Sequence, residues 1–221
     1  MTEISEVVEL CREIARSGYA PGGSGNVSFI NEGTIWITRS GVNLGEVGDK
    51  DFSELKVSLP DRTVELISGG KPSKEVPMHV AMYSASNVTR GIIAHTHSLK
   101  AAALSCLAPY SAESALPALT PYYVMKVGEL PLVPYAKPGS TVQAEQIFRM
   151  GSKSQRILLQ NHGPAVLTEN ASQAMAALHE IENSAAIWLQ IKNFENVHTL
   201  NKLEINELLN IENGNKGRSD D

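Results

Sequence analysis

Three pairs of apolar, β-branched segments in this sequence are each joined by a few turn-forming residues. "NVSFI" and "TIWIT" flank "NEG", "SELKVSL" and "TVELI" flank "PDR", and the stretch "RILLQNHGPAVLTE" contains two apolar runs around a glycine and a proline. Alternating apolar residues between turn signals are typical of β-strands. Because short turns join antiparallel neighbours, the sequence predicts a sheet that is mostly antiparallel.

Helical patterns lie before, between and after these strands. The first runs from about Glu3 to Ser17, and the longest is "NASQAMAALHEIENSAAIWLQIKNF". In the longest pattern one stripe carries the apolar residues at helical spacing, namely Ala174, Ala177, Leu178, Ile181, Ala185 and Trp188. We therefore expect one α/β domain over residues 1–210, with helices flanking the sheet, and a disordered tail over residues 211–221.

The overall composition is that of an ordinary globular protein, with 42% hydrophobic and 19% charged residues. The net charge of -5 gives no reason to expect a nucleic-acid partner. Two cysteines in unrelated contexts, Cys11 and Cys106, make a disulfide framework or a thiolate metal site improbable. There is no signal-peptide pattern at the N-terminus and no apolar run long enough to span a membrane, so we expect a cytoplasmic protein.

Two histidines stand at the end of the apolar strand "GIIAH". Residues i and i+2 of a strand point to the same side, so His95 and His97 are predicted to emerge together. Such a pair suits a metal ion as well as ordinary hydrogen bonds, and a metal needs a third ligand. His162, on a turn after another apolar strand, is a candidate for that ligand or a plain turn residue. Glu75 is either a solvated helix cap or, beside a cation, a ligand and proton-transfer base.

Loops rich in glycine and serine form a second group of candidate residues. "PGGSGNVS" offers backbone N–H groups that suit a phosphate, and Ser40 and Ser73 add hydroxyls next to the Lys74 cation. No loop matches the fingerprint of a nucleotide-binding motif. Together with the His/Glu group, these loops suggest a small phosphorylated substrate at a metal. His79 is either a partner behind that site or a hydrogen-bonded core residue.

Five motifs, "GSGNVS", "ITRSG", "KPSKEVPMH", "IIAHTHS" and "LLQNHGP", occur in the order found in the class II aldolase/adducin family, which the chain resembles over about residues 5–195. Within the family, "KPSKE" and "LTPYYVMKVGELPLVPY" look most like the 3-oxo-tetronate 4-phosphate decarboxylases. The resemblance implies a three-layer αβα fold with a central, mostly antiparallel sheet and a homotetramer with sites near subunit interfaces. It also implies one zinc ion per subunit, held by His95, His97 and His162, with Glu75 as the acid/base residue that also touches the metal.

The same resemblance carries over a phosphate pocket to matching positions, Gly25, Asn26, Ser40, Gly41 and Ser73. The chain departs from the family aldolases at Lys74, where many of them have a second serine. Family aldolases also use a tyrosine from a neighbouring subunit as a proton donor, and either Tyr122 or Tyr123 matches its position.

Together with Lys74, the resemblance implies a zinc-dependent decarboxylation of a 3-oxo-tetronate 4-phosphate to dihydroxyacetone phosphate and CO2, through a metal-stabilised enediolate. A fuculose-phosphate-like aldolase is the alternative, because its cleavage gives the same enediolate at the same metal. A non-catalytic, adducin-like interaction module is a remote alternative, since that branch is expected to lack the complete metal set.

Overall fold

The computed structural model describes residues 3–216. Seven α-helices in this range are α1 (Glu3–Arg16), α2 (Val76–Ala85), α3 (Leu99–Ser105), α4 (Pro121–Lys126), α5 (Thr141–Phe148), α6 (Ala171–Ile191) and α7 (Lys202–Lys216). Eight strands are β1 (Asn26–Asn31), β2 (Thr34–Thr38), β3 (Phe52–Ser58), β4 (Thr63–Ser68), β5 (Arg90–His95), β6 (Leu132–Val133), β7 (Arg156–Leu159) and β8 (Gly163–Thr168). None of the described helices is both long and apolar enough to cross a membrane.

All eight strands of the described chain form one sheet in the order β4-β3-β2-β1-β5-β8-β7-β6. Every neighbouring pair is antiparallel except β6 and β7, which are parallel. Each of the three predicted strand pairs forms a hairpin, so the mostly antiparallel sheet is confirmed. The strand β5, which carries the paired histidines, lies near the middle of the sheet between β1 and β8.

Helices cover both faces of the sheet, which gives the expected αβα layers. On one face, α2 and α5 pack over a core that includes Ile30, Ile93 and Leu159. On the other face, α1, α3, α4 and α6 pack over a core that includes Val27 and Ile92. Since neighbouring strand residues point to opposite faces, Asn26, Ser28 and Ile30 of β1 all face the α2 side.

Several helix boundaries follow from local chemistry that the sequence shows. Pro77 lies in the first turn of α2, where a missing N–H costs nothing. The side chain of Ser140 accepts a hydrogen bond from the backbone of Gln143 and caps α5. The last helix, α7, extends to Lys216, past the domain boundary at residue 210 that the sequence suggested. Residues 217–221 of the predicted tail lie outside the described residues.

Candidate active site

Three imidazole rings converge at one end of the central strands. His95 is the last residue of β5, His97 lies two residues further on, and His162 lies in the turn between β7 and β8. The Nε2 atom of His95 is 3.1 Å from Nε2 of His97 and 3.3 Å from Nε2 of His162. The structure thus brings together the three histidines that the sequence nominated, from segments 67 residues apart.

Backbone contacts fix the orientation of these rings. Nδ1 of His95 donates to the carbonyl of Pro164 at 2.9 Å, which leaves its Nε2 lone pair free to bind a metal. The backbone N–H of His162 donates to the hydroxyl of Ser105 at 3.1 Å. At Gly163 an added Cβ would lie 2.2 Å from the carbonyl oxygen of Thr96, so only glycine fits where the two histidine segments meet.

All three rings are held in the neutral form, which is the form that binds a metal. Burial lowers the pKa of His95 and of His97, and it lowers the pKa of His162 to about 4. The mutual repulsion of neighbouring imidazolium charges lowers each pKa further. At neutral pH the three rings therefore do not need to lose a proton before they can act as ligands.

The carboxylate of Glu75 lies beside the imidazoles, at the N-cap position of α2. Its Oε2 is 3.5 Å from Nε2 of His95 and accepts a 2.7 Å hydrogen bond from the amide of Asn26. Its Oε1 is 3.8 Å from Nε2 of His162 and has no hydrogen-bond partner although it is buried. Burial raises the pKa of Glu75, but the nearby His95 and His162 and the Asn26 hydrogen bond outweigh it, so the pKa is lowered and the group is ionised.

This arrangement fits a zinc ion. Two ligand atoms at 2.0–2.1 Å from a tetrahedral zinc are about 3.3 Å apart, and the measured Nε2 separations of 3.1 and 3.3 Å agree with that spacing. Three neutral imidazoles and one ionised carboxylate are a normal donor set for zinc. The unpartnered oxygen of Glu75 also needs a positive or hydrogen-bonding neighbour, because an orphaned buried acceptor is costly. The histidine cluster can bind a metal ion.

A cavity of about 400 Å³ opens onto this cluster. Its lining contains all the loop residues that the sequence nominated for substrate binding, namely Gly25, Asn26, Ser40, Gly41, Ser73 and Lys74. Glu75, His97 and His162 line it as well, whereas His95 is buried behind them. Loops from three separate segments therefore share one space with the candidate metal ligands.

Five other residues of this lining are missing from the sequence-based set, namely Gly23, Ser24, Arg39, Val42 and Pro138. Arg39 is adjacent to Ser40, so its position was within reach of the motif argument. Pro138 reaches the cavity because the loop before α5 packs against the loop before α2, and an added Cβ at Gly139 would lie 2.2 Å from the carbonyl oxygen of Lys74. No local pattern in the sequence signals this long-range contact.

The two candidate tyrosines of α4 have opposite environments. Tyr123 is 1% exposed, and its hydroxyl lies 3.5 Å from that of Ser114 within the core. Burial raises the pKa of Tyr123 to about 12. Tyr122 is 63% exposed and is free to contact another molecule. Of these two tyrosines, Tyr122 is the one whose side chain can reach another molecule.

The family model for the class II aldolase and adducin N-terminal domain matches residues 5–189. The chain belongs to this family. The resemblance inferred from the five motifs is thus confirmed, and the match covers the whole sheet, the helices α2 to α5 and most of α1 and α6.

Within the family, the chain is more similar to relatives named as decarboxylases than to relatives named as aldolases. A 3-oxo-tetronate 4-phosphate decarboxylase of Pectobacterium atrosepticum is 39% identical over 184 residues, which are 83% of this chain and 82% of that protein. An L-fuculose phosphate aldolase of Methanococcus maripaludis is 29% identical over 185 residues, or 84% of this chain and 95% of that protein. The crystal structure of YgbL from Escherichia coli superimposes with a TM-score of 0.83 at 32% identity, covering 93% and 97% of the two chains. The αβα fold and the resemblance to the decarboxylases are confirmed.

Proposed function

We propose that the chain is a zinc-dependent carboxy-lyase that converts a 3-oxo-tetronate 4-phosphate to dihydroxyacetone phosphate and CO2. The observation that carries this proposal is the presence of Lys74 in the same cavity as the three imidazoles and Glu75. A cation there can hold the carboxylate that a decarboxylase substrate has and an aldolase substrate lacks. The greater similarity to relatives named as decarboxylases supports the same choice.

His95, His97 and His162 would hold the proposed metal, and Glu75 would be a fourth donor. When bound, a divalent cation supplies Lewis acidity toward the hydroxyl and ketone oxygens of the substrate. Loss of CO2 breaks the C1–C2 bond and leaves its electron pair on C2, conjugated with the C3 oxygen as an enediolate. A proton delivered to C2 then gives dihydroxyacetone phosphate.

Glu75 is the proposed carrier of that proton: its ionised carboxylate first takes up a proton from the cavity side and then delivers it to C2. Its Oε1 faces the imidazole cluster and has no other hydrogen-bond partner, so it is free to exchange a proton with a bound substrate. The opposite oxygen, Oε2, is held by Asn26, which keeps the carboxylate in place. One oxygen is therefore available for proton transfer while the other is anchored.

The phosphate of the substrate is proposed to bind at the loops on the other side of the cavity. Gly25 and Gly41 line the cavity and have no side chain that would cover their backbone, and Ser40 and Ser73 contribute hydroxyls. Asn26 also lines this cavity, but both ends of its amide are already used, by Glu75 and by His79.

We also propose a homotetramer in which Tyr122 enters the cavity of a neighbouring subunit. The family resemblance suggests a tyrosine from α4 in this role, and the exposure of Tyr122 supports it over the buried Tyr123. Its phenol would act as a second proton donor or hold a substrate oxygen. The sites would then lie near subunit interfaces.

An aldolase is the second candidate, because the relative named L-fuculose phosphate aldolase is 29% identical over most of both chains. The deciding experiment measures CO2 release from both enantiomers of the keto acid phosphate, and aldehyde release from L-fuculose 1-phosphate, with the same zinc-loaded protein. We expect CO2 from one enantiomer and little aldehyde. Aldehyde release with no CO2 would replace the decarboxylase by the aldolase, and zinc content near zero per active chain would contradict the choice of metal.

A further inference from the structure

A chain of buried hydrogen bonds runs from the Glu75 carboxylate into the core beneath α2. Asn26 donates to Oε2 of Glu75 at 2.7 Å, and the Oδ1 of Asn26 is 2.5 Å from Nε2 of His79. The Nδ1 of His79 is 2.7 Å from the hydroxyl of Ser28, which is 2.9 Å from the hydroxyl of Tyr83. All five side chains are buried, so water does not compete for these bonds.

Two regular elements place these residues in line. Glu75, His79 and Tyr83 follow one another at intervals of four residues, which puts them on one side of α2. Asn26 and Ser28 are two residues apart on β1 and point to the same face of the sheet, toward α2. The helix and the strand thus contribute alternate members of the chain.

The chemistry of the groups fixes the direction of each bond from Glu75 to Ser28. A carboxylate only accepts, so Asn26 turns its NH2 group to Glu75 and its carbonyl to His79. His79 must then carry its proton on Nε2, and its bare Nδ1 accepts from the hydroxyl of Ser28. The hydroxyl of Tyr83 can donate to that of Ser28 or to the backbone carbonyl of Ser28 or Gly91.

We infer that His79 is a positioning residue for the reaction: through Asn26, it locks the carboxylate of Glu75 in one rotamer with Oε1 toward the substrate. This inference rests on the proposed role of Glu75 and gives Asn26 a task other than phosphate binding. Without the imidazole, the amide of Asn26 can rotate and turn its carbonyl oxygen toward the carboxylate of Glu75. The two oxygens repel each other, and the carboxylate loses the hydrogen bond from Asn26 that held it in place.

The chain positions the carboxylate and does not supply its proton. An amide lies between Glu75 and His79, and an amide cannot pass a proton from its carbonyl to its NH2 group without becoming an imidic acid. The proton that Glu75 delivers therefore has to return from the cavity side. Removal of His79 should lower kcat with little change in KM, because substrate-binding groups are untouched.

The test compares His79→Leu with His79→Gln in the full-length protein. In His79→Leu we expect kcat to fall by about 10- to 100-fold, with KM and bound zinc per chain close to those of the wild type. The amide NH2 of His79→Gln can replace Nε2–H as donor to Asn26, so this variant should regain most of the turnover. A matched control is Ser84→Ala. Ser84 lies on the same helix as His79 but outside the hydrogen-bond chain, and the change removes its 2.9 Å hydrogen bond to the carbonyl of Leu59.

Two structural readouts do not depend on turnover. ¹⁵N NMR of histidine-labelled wild type should show His79 as the Nε2–H tautomer and His95 as the Nδ1–H tautomer. Crystals of His79→Leu should show the Glu75 carboxylate in more than one rotamer. Wild-type kcat, or a single unchanged Glu75 rotamer, in His79→Leu would overturn the inference. A fall in kcat shared by Ser84→Ala and not restored by His79→Gln would also overturn it, in favour of a purely structural role. If the wild type released no CO2, the proposed function would fail, and the tautomer and rotamer results would still decide this inference.

Discussion

Replacing Lys74 with serine tests the feature on which the choice of reaction depends. The change restores the residue typical of the family aldolases and removes one of two cationic residues in the cavity lining. A charge-assisted hydrogen bond is worth about 1.5–3 kcal/mol, so kcat/KM for the keto acid phosphate should fall about 10- to 150-fold. Inhibition by dihydroxyacetone phosphate, which has no carboxylate, should weaken by less than about 3-fold, because Ser73 and Gly25 remain.

The assay needs a pH at which Lys74→Ser changes only the substrate contact. Burial is the main cause of the low pKa of His97 and His162, and the nearby Lys74 ammonium lowers both pKa values further. Removing that charge raises them, so protons compete better for the imidazoles at low pH, and the comparison belongs at about pH 8. The control is Lys71→Ser, the same change at an exposed lysine outside the cavity lining. An equal loss for substrate and product in Lys74→Ser would make Lys74 a phosphate ligand and remove the structural reason for preferring a decarboxylase.

Four other changes test the remaining parts of the site. His162→Ala should lose bound zinc and activity together, because one imidazole of three is gone; metal analysis checks this. Glu75→Gln keeps the shape, so zinc should stay largely bound while turnover falls on the order of 100-fold; wild-type turnover would exclude Glu75 as the acid/base. Tyr122→Phe should slow turnover by about 10-fold or more, whereas the same change at Tyr123 should mainly lower the melting temperature. Burial lowers the pKa of His79 to about 3, so between about pH 6.5 and 3 the unfolded chain binds the extra proton. This group should therefore lower the free energy of unfolding by about 1.4 kcal/mol for each unit that the pH falls. In His79→Gln, the free energy of unfolding measured with urea should depend less on pH by the same amount.

The fold was accessible from the sequence because local chemistry marks each of its main elements. The turns "NEG" and "PDR" specify two hairpins, and the stripe from Ala174 to Ala185 specifies the long helix. The extent of α7 was not accessible, since "ENGNKG" has neither an apolar stripe nor a helix-forming composition. The order of the strands, and the parallel pairing of β6 with β7, depend on long-range packing that no local pattern encodes.

The candidate site was partly accessible for a similar reason. His95 and His97 could be paired from strand alternation alone, but the meeting with His162 required the motif order of the family. The sequence left His79 undecided between the core and the site. The structure gives it both environments, because one ring nitrogen reaches Asn26 at the site and the other reaches Ser28 in the core. His79 and Asn26 are 53 residues apart, and the local sequence around neither of them indicates the hydrogen bond that joins them.

The location of His95 on a central strand has a consequence for the handling of the metal. β5 is bonded to β1 on one side and to β8 on the other, and the ring of His95 is pinned to the backbone of β8 through Pro164. The sheet therefore fixes His95, and His97 and His162 lie within two residues of strand ends, so no long loop has to fold around an incoming ion. Chelated protein should therefore retain its tertiary structure and accept Co²⁺, Mn²⁺ or Zn²⁺ by simple dialysis. The resulting set of metal-exchanged enzymes would share one scaffold, so differences in their rates would report on the ion alone.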